Sequence, residues 1–322
     1  MSGLKIFHIL AVTTLLLSSM LLRTEAQDTC AASSQPNPIA QQYANTPTGT
    51  YNATLAVLPI PLDTARSIIP SKYAILEDAY RSLLPSLPTD TYPVLMQAGL
   101  DHDIQLPAYN YSLPDFQVSN QSRLCRYGNT VLTDFSQRFG WSFPFIDLLG
   151  DGFSSFTWAP AQMISADNQI AIEGSMGYGT TVYATDFSPG CEAYGRLQNS
   201  STYFSGKATN GSDKYVTLEF SALAQGLSSP FPVEFYQNVT NQPIFGNGSL
   251  CDKQIRLFNS SINQGDYAPV PVKGTVFSNL EPLDSMEGLG EVFGLLIDTP
   301  FIEYNFLGCE SLKGYQGTGS GD

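Results

Sequence analysis

No apolar stretch between Tyr51 and about Cys309 runs far before Gly, Pro, Asn or Ser interrupts it, roughly every ten residues. The runs themselves are rich in aromatic and β-branched residues, as in "KYVTLEFSAL", "FPVEFYQNVT", "QIRLFNSS" and "VPVKGTVFSNL". Each reads as a strand bounded by turns. With 17 tyrosines, 19 phenylalanines, 27 glycines and 21 prolines in 322 residues, the pattern leaves little room for long helices. Two short ones are expected. "PLDTARSIIP" offers Asp63 as N-cap, Ala65, Ile68 and Ile69 at helical spacing, and Pro70 as a stop; "LEDAYRSLLP" repeats the scheme and ends at Pro85. The predicted class is α+β, mainly antiparallel β, with a curved or closed barrel-like sheet and a few peripheral helices.

The ends read differently. Lys5 precedes the apolar run "IFHILAVTTLLLSSMLL", and a small-residue site ends at Ala26, so residues 1–26 are expected to be a secretory signal peptide. Residues 27–50, rich in Gln, Ser, Pro, Asn and Thr, read as a flexible arm; 51–310 as one domain; 311–322 as a disordered tail. The expected location is outside the cell or in the secretory or vacuolar lumen, with no membrane association once the signal is cleaved. Eight Asn-X-Ser/Thr sequons, at Asn52, Asn110, Asn120, Asn199, Asn210, Asn238, Asn247 and Asn259, agree with a glycoprotein. Cys30, Cys125, Cys191, Cys251 and Cys309 predict two disulfides and one remaining thiol, with Cys30 and Cys309 placed to clip the two ends together.

Loss of Lys5, Arg23 and Glu25 takes the 15 basic residues to 13 and the 29 acidic ones to 28, a net charge of −15. Such a chain repels phosphate backbones, which makes nucleic acid a poor partner. A small-molecule ligand is the expected partner.

Chemistry-bearing motifs are sparse. His102 stands in "PVLMQAGLDHDIQL", where Val94, Met96, Ala98, Leu100 and His102 share one strand face and Gln97, Asp101, Asp103 and Gln105 the other. That alternation turns His102 away from both aspartates and argues against a metal site; a buried structural histidine and a pocket acid/base remain open. The Gln97–Asp101 face is either solvated or lines a barrel interior. There is no G-x-S-x-G elbow, no dinucleotide loop in a βαβ setting and no phosphate-loop lysine, so no cofactor is expected.

"IEGSMGYGTTVYATDF" (172–187) has the rhythm of strand–turn–strand and gathers Glu173, Tyr178, Thr180, Thr181 and Tyr183. Together with "TYNATLAVLPIPLDTARSIIPSKYAIL" (50–76), it resembles two motifs of the acetoacetate decarboxylase superfamily. These are a strand–short helix–Pro element and an active-site segment carrying Pro-Lys-Lys. The resemblance implies a β-cone around a small-molecule pocket. Here Gly179, Thr180 and Thr181 stand where Pro-Lys-Lys is expected, and Pro59 near the position of a carboxylate-binding arginine. A hydroxyl cannot form an iminium, so the resemblance implies that Schiff-base chemistry is lost. The expectation is cofactor-free lyase or isomerase-type acid/base chemistry on a small keto or oxygenated metabolite. Glu173, Tyr178 and His102 would be catalytic, and Thr180, Thr181 and Tyr183 substrate-binding. Non-catalytic small-molecule binding, or a secreted interaction protein, is the alternative.

Overall fold

The computed structural model describes residues 32, 34–105, 125–127, 130–132, 136–209, 211–258, 263–284 and 290–316. Its strands in chain order are β1 (Thr48–Pro61), β2 (Ala74–Ile75), β3 (Thr91–Gln105), β4 (Cys125–Tyr127), β5 (Thr130–Leu132), β6 (Ser136–Asp147), β7 (Phe156–Trp158) and β8 (Ala161–Ser165). They continue with β9 (Thr181–Ser188), β10 (Gly195–Arg196), β11 (Thr202–Ala208), β12 (Tyr215–Ala222), β13 (Ile244–Phe245), β14 (Leu250–Arg256), β15 (Val270–Ser278) and β16 (Glu291–Gly308). Four α-helices are described: α1 (Leu62–Ile68), α2 (Glu77–Leu83), α3 (Gln169–Gly177) and α4 (Val233–Asn241). The architecture is the α+β, mainly antiparallel one expected.

Its organising element is a wall of four long antiparallel strands in the order β6–β3–β1–β16. At each side of the wall the sheet divides. One branch, β7–β13–β14, runs from β6 to β16 and closes a seven-strand ring. The other, β8–β9–β11–β12–β15, joins the same two strands and closes a nine-strand ring. The wall therefore has an interior on each side, and its strands are buried almost continuously: the first eleven residues of β1 and Tyr92–His102 of β3 are all buried. Strands covered on both faces show such runs.

The two interiors differ. Into the nine-strand ring point apolar residues such as Met96, Ala98, Phe139, Met163, Phe204, Leu218, Phe220 and Val272, which belong to the main core. Into the seven-strand ring the same wall turns Tyr51, Gln97, Asp101, Arg138 and Ser142. At the wall's centre β1 and β3 approach so closely that a Cβ at Gly99 would lie 2.4 Å from both Ala53 Cβ and Asn52 O.

Several sequence expectations need correction. "FPVEFYQNVT" is helix α4, not a strand: Phe231, Phe235, Tyr236 and Val239 recur at helical spacing and are buried. Residues 169–177 are helix α3, whose N-cap Asn168 accepts from the Ala171 N–H at 2.9 Å. The segment 172–187 is thus helix–turn–strand. The turn uses Gly179 at φ +84°, a backbone region open to glycine. Helices α1 and α2 lie where expected, but Pro61 occupies the N-cap of α1 and Asp63 sits in its first turn. Residues 34–47 are not a loose arm, because Ile39 packs on Ile255 and Ile302, and Gln105 Nε2 donates to Ala40 O at 3.1 Å.

Cys309 pairs with Cys251 rather than Cys30, tying the end of β16 to β14 beside it. Cys191 is disulfide-bonded as well.

Gly99→Ala is expected to destabilise the protein by about 1–3 kcal/mol, because the added methyl meets backbone that cannot retreat. Thermal unfolding checks this; an unchanged midpoint would show that the wall is not tightly packed there.

Candidate functional site: a polar chamber inside the seven-strand ring

The side chains turned into the seven-strand ring meet across β1, β3, β6 and β14 in two bonded groups. Arg138 Nη2 donates to Asp101 Oδ2 at 2.7 Å, linking β6 to β3. Arg256 on β14 donates from Nη1 to Gln97 Oε1 at 2.9 Å and from Nε to Gln254 Oε1 at 3.0 Å. Its guanidinium stacks 4.2 Å from the ring centroid of Tyr51 on β1. Gln97 Nε2 passes the chain on to Ser142 Oγ at 3.2 Å. Helix α4 steadies β14 from the side: the Asn241 side chain exchanges hydrogen bonds with the backbone of Arg256, at 2.6 and 3.1 Å.

Two further carboxyls, Asp252 on β14 and Glu303 on β16, join Asp101, Arg138 and Arg256 within electrostatic reach. Burial, then the negative field of Glu303, pushes the Asp252 carboxyl well above the usual carboxylate range. Burial and then Asp101 raise Glu303 in the same direction. The Tyr51 phenol is pushed up to about 12, chiefly by burial. Three carboxyls and two guanidiniums thus share a desolvated space in which burial shifts Asp252 and Glu303 toward the protonated form.

Not all of this polarity is satisfied from within. Tyr51 Oη, Asp101 Oδ1, Ser136 Oγ, Arg138 Nε and Asp252 Oδ1 are buried without a protein partner. Buried polar atoms nearly always find one, so five orphans converging on one interior mark it as a place for a polar guest.

Glu303 is half-buried and leads outward. Asn305 hydrogen-bonds its carboxyl, and Tyr178 Oη donates to Asn305 Oδ1 at 2.6 Å. Tyr178, at the turn after α3, packs on Phe306 of β16 with ring centroids 5.6 Å apart and planes inclined at 41°. Of the residues singled out in the sequence, Tyr178 alone connects to the chamber by this route.

The others lie elsewhere. Glu173 is exposed on α3 and accepts from Gln169 Nε2 at 2.8 Å. Thr180 is buried with Oγ1 donating to Ala159 O, and Thr181 is exposed. Tyr183 faces the nine-strand ring and donates to Glu281, which helps to raise its phenol to about 12. His102 is 2% exposed on the wall face opposite the chamber. It does not turn away from both aspartates: a bulge between the β1 and β3 registers, with Asp103 at φ +49°, breaks the alternation and brings Asp103 Oδ2 to 2.7 Å from His102 Nδ1.

The sequons also divide. Asn52 is 8% exposed in the middle of β1, where a glycan has no room. Asn199 and Asn247 are exposed, each with Oδ1 accepting from the N–H two residues on, at 3.0 Å. Asn238 is half-buried on α4 and donates to Gln316 O. Asn110, Asn120, Asn210 and Asn259 lie outside the described residues, as do Cys30, the signal segment and residues 317–322 of the tail.

Among the described residues the cations that join the chamber's network are Arg138 and Arg256; Lys253, also buried, stacks on Tyr315 at 4.0 Å. No group of three or more His, Cys, Asp and Glu residues with metal-binding geometry occurs among the described residues. Within the same set no helix is long and apolar enough to cross a membrane.

No family model and no curated protein matches the chain. Among solved structures it is similar to the enduracididine biosynthesis enzyme MppR with HEPES buffer bound (TM-score 0.43, 8% identity, 82% of this chain and 86% of that one). It is similar to the same enzyme complexed with pyruvate (TM-score 0.40, 7% identity, 80% and 87%). A third is that enzyme complexed with the condensation product of pyruvate and imidazole 4-carboxaldehyde (TM-score 0.40, 8% identity, 80% and 86%).

The raised carboxyl of Asp252 has a consequence for stability. Below the unfolded-state value, near 4, both states hold the proton and nothing is lost. As pH rises past it the unfolded chain ionises first, so folding stability falls until the folded carboxyl also ionises. Asp252→Asn removes that loss. Its unfolding midpoint should exceed the parent's by roughly 2–4 °C at pH 7 and by much less at pH 4. A lower midpoint at pH 7 would mean that Asp252 is ionised and stabilised by Arg138 and Arg256.

Proposed function

We propose that the chain is a divergent, secreted member of the acetoacetate decarboxylase-like superfamily. In this reading its polar chamber binds a small keto or otherwise oxygenated metabolite and performs lyase or isomerase-type acid/base chemistry without a Schiff base. The observation that carries the reading is the enclosure of Asp252 and Glu303 with Arg138 and Arg256 among unpartnered buried polar atoms, an environment that raises both carboxyls. A carboxyl raised toward neutrality is suited to give and take protons, and a guanidinium in a dry site stabilises charge developing on a carbonyl or carboxylate oxygen. Glu303, half-buried and linked to Tyr178 through Asn305, would move a proton at the carbon beside a substrate carbonyl. Arg256 is placed to hold the oxygen. The strand–helix–Pro element of residues 48–70 supports the family reading.

The test is a panel of 2-keto and 3-keto acids in deuterated buffer, followed by NMR for exchange beside the carbonyl and for loss of carbon dioxide. Glu303→Gln should lower the rate by about 10²–10⁴-fold while binding, read as a thermal shift, persists. Borohydride treatment during turnover should leave every lysine unmodified. A lysine adduct would return the reaction to Schiff-base chemistry.

A second reading is favoured by the internal pairing of both guanidiniums, Arg138 with Asp101 and Arg256 with Gln97 and Gln254. On this view the chamber binds and does not catalyse. Thermal shifts without exchange or turnover for any compound in the panel would select it.

Secretion and glycosylation belong to the same proposal and are supported by the disulfide-bonded cysteines and by exposed Asn199 and Asn247. Glycopeptide mass spectrometry of protein from a secreting host should find glycan at Asn199 and Asn247 and an unmodified Asn52. A glycan at Asn52 would contradict the burial of β1.

A further inference from the structure

On the opposite side of the wall from the chamber, four side chains form one chain of hydrogen bonds. Asp103 Oδ2 lies 2.7 Å from His102 Nδ1, His102 Nε2 lies 3.0 Å from Ser34 Oγ, and Ser34 Oγ lies 2.6 Å from Asp298 Oδ2. Three hydrogen bonds need three hydrogens. A neutral imidazole supplies one and the serine hydroxyl another, so with both aspartates ionised one link lacks its hydrogen. The chain is complete only when it holds one additional proton, as imidazolium at His102 or as carboxylic acid at an aspartate.

The order Ser–His–Asp invites a nucleophile reading. Against it, the serine oxygen is held between two partners, one of them the Asp298 carboxylate, so its hydrogen is not reserved for the imidazole. What the chain does hold is a segment. Ser34 begins the stretch 34–47, which lies along the outer face of β14 and β16, where Ile39 covers Ile255 and Ile302. Gln35 Nε2 donates to Asp298 O at 3.2 Å, Asn37 Nδ2 to Asp103 O at 3.1 Å, and the Glu303 N–H to Pro47 O at 2.9 Å. The left-handed backbone at Asp103 is a local cost whose effect is to bring its carboxylate onto the imidazole.

We propose that Asp103, His102, Ser34 and Asp298 form a proton-operated latch that fastens residues 34–47 over β14 and β16 and lets them lift when the shared proton leaves. The imidazole is faced by Asp103 on its own strand and, across Ser34, by Asp298 on β16. Thr50 lies opposite it on β1. Among the described residues Tyr194 feels the fields of Arg196, Asp298 and Glu192, which brings those charges into the same neighbourhood. Asp298 is itself raised by burial, which favours retention of the proton. Opening would uncover Ile255 and Ile302 and free the amide of Glu303.

Hydrogen exchange of the full chain tests this, with protection factors corrected for intrinsic rates, at the amides of Tyr43, Thr46 and Glu303 between pH 5 and 8. Protection should fall with rising pH, by up to tenfold per unit where the one proton is released. His102→Gln should remove the pH dependence. Ser34→Ala should lower protection at pH 5 and flatten the profile. Ile39→Ser, which loosens the same segment without touching the chain, should lower protection at every pH and keep the slope. A flat parent profile, or an unchanged slope in Ser34→Ala, would overturn the latch; the Ser34 variant decides the matter should the buried His102 variant fail to fold.

Discussion

Burial of one four-stranded wall on both faces is the constraint on which the rest of the molecule rests. A sheet with solvent on one side can turn its polar residues outward at no cost. The wall β6–β3–β1–β16 cannot, because the two branches of the sheet close over it in opposite directions. Every alternate residue therefore has to be apolar or be satisfied inside the protein. On the nine-strand side the solution is an aromatic and aliphatic core. On the seven-strand side it is a network of guanidinium, amide and carboxyl groups.

The chamber's electrostatics follow from that closure. Asp252 and Glu303 would be ordinary surface carboxylates on an open sheet. Enclosed with each other and with Asp101, they share too little positive charge and too little water, and burial shifts both toward the protonated form. The same closure leaves Tyr51, Arg138 and Asp252 with atoms that no protein group reaches. Helix α4 and the disulfide between Cys251 and Cys309 both brace β14, the strand that brings Asp252, Gln254 and Arg256 into the ring. Stability at the ring's closing edge and composition of its interior are thus set by one strand.

Much of the fold was legible one strand at a time. Val94, Met96, Ala98 and Leu100 announce β3 by their alternation, and Pro70 and Pro85 mark the ends of the first two helical units. The helix α4 was hidden because "FPVEFYQNVT" carries β-favouring residues, and only its packing on β14 shows why helical spacing prevails there. The site was hidden for a different reason. Gln97 and Asp101, Ser136 and Arg138, and Asp252, Gln254 and Arg256 all appear as polar residues at period two, the ordinary mark of a solvated strand face. Their one distinguishing sign is a guanidinium on each of two such faces, which says nothing about where those faces meet. The cluster that is local in sequence, residues 172–187, is split by helix α3, the turn after it and strand β9, which send Glu173, Thr180, Thr181 and Tyr183 to different surroundings.

The sequence by itself determined the class of the fold, its strand-dominated core and the short helices bounded by proline. Those are local matters of alternation and turn chemistry, settled within ten residues. Tertiary structure alone decided which polar face is interior, which cysteine Cys309 meets, and that His102 is held between Asp103 and Ser34. Ring closure, cross-strand register and a single bulge act between residues far apart in the chain, and alternation carries no information about partners at that distance.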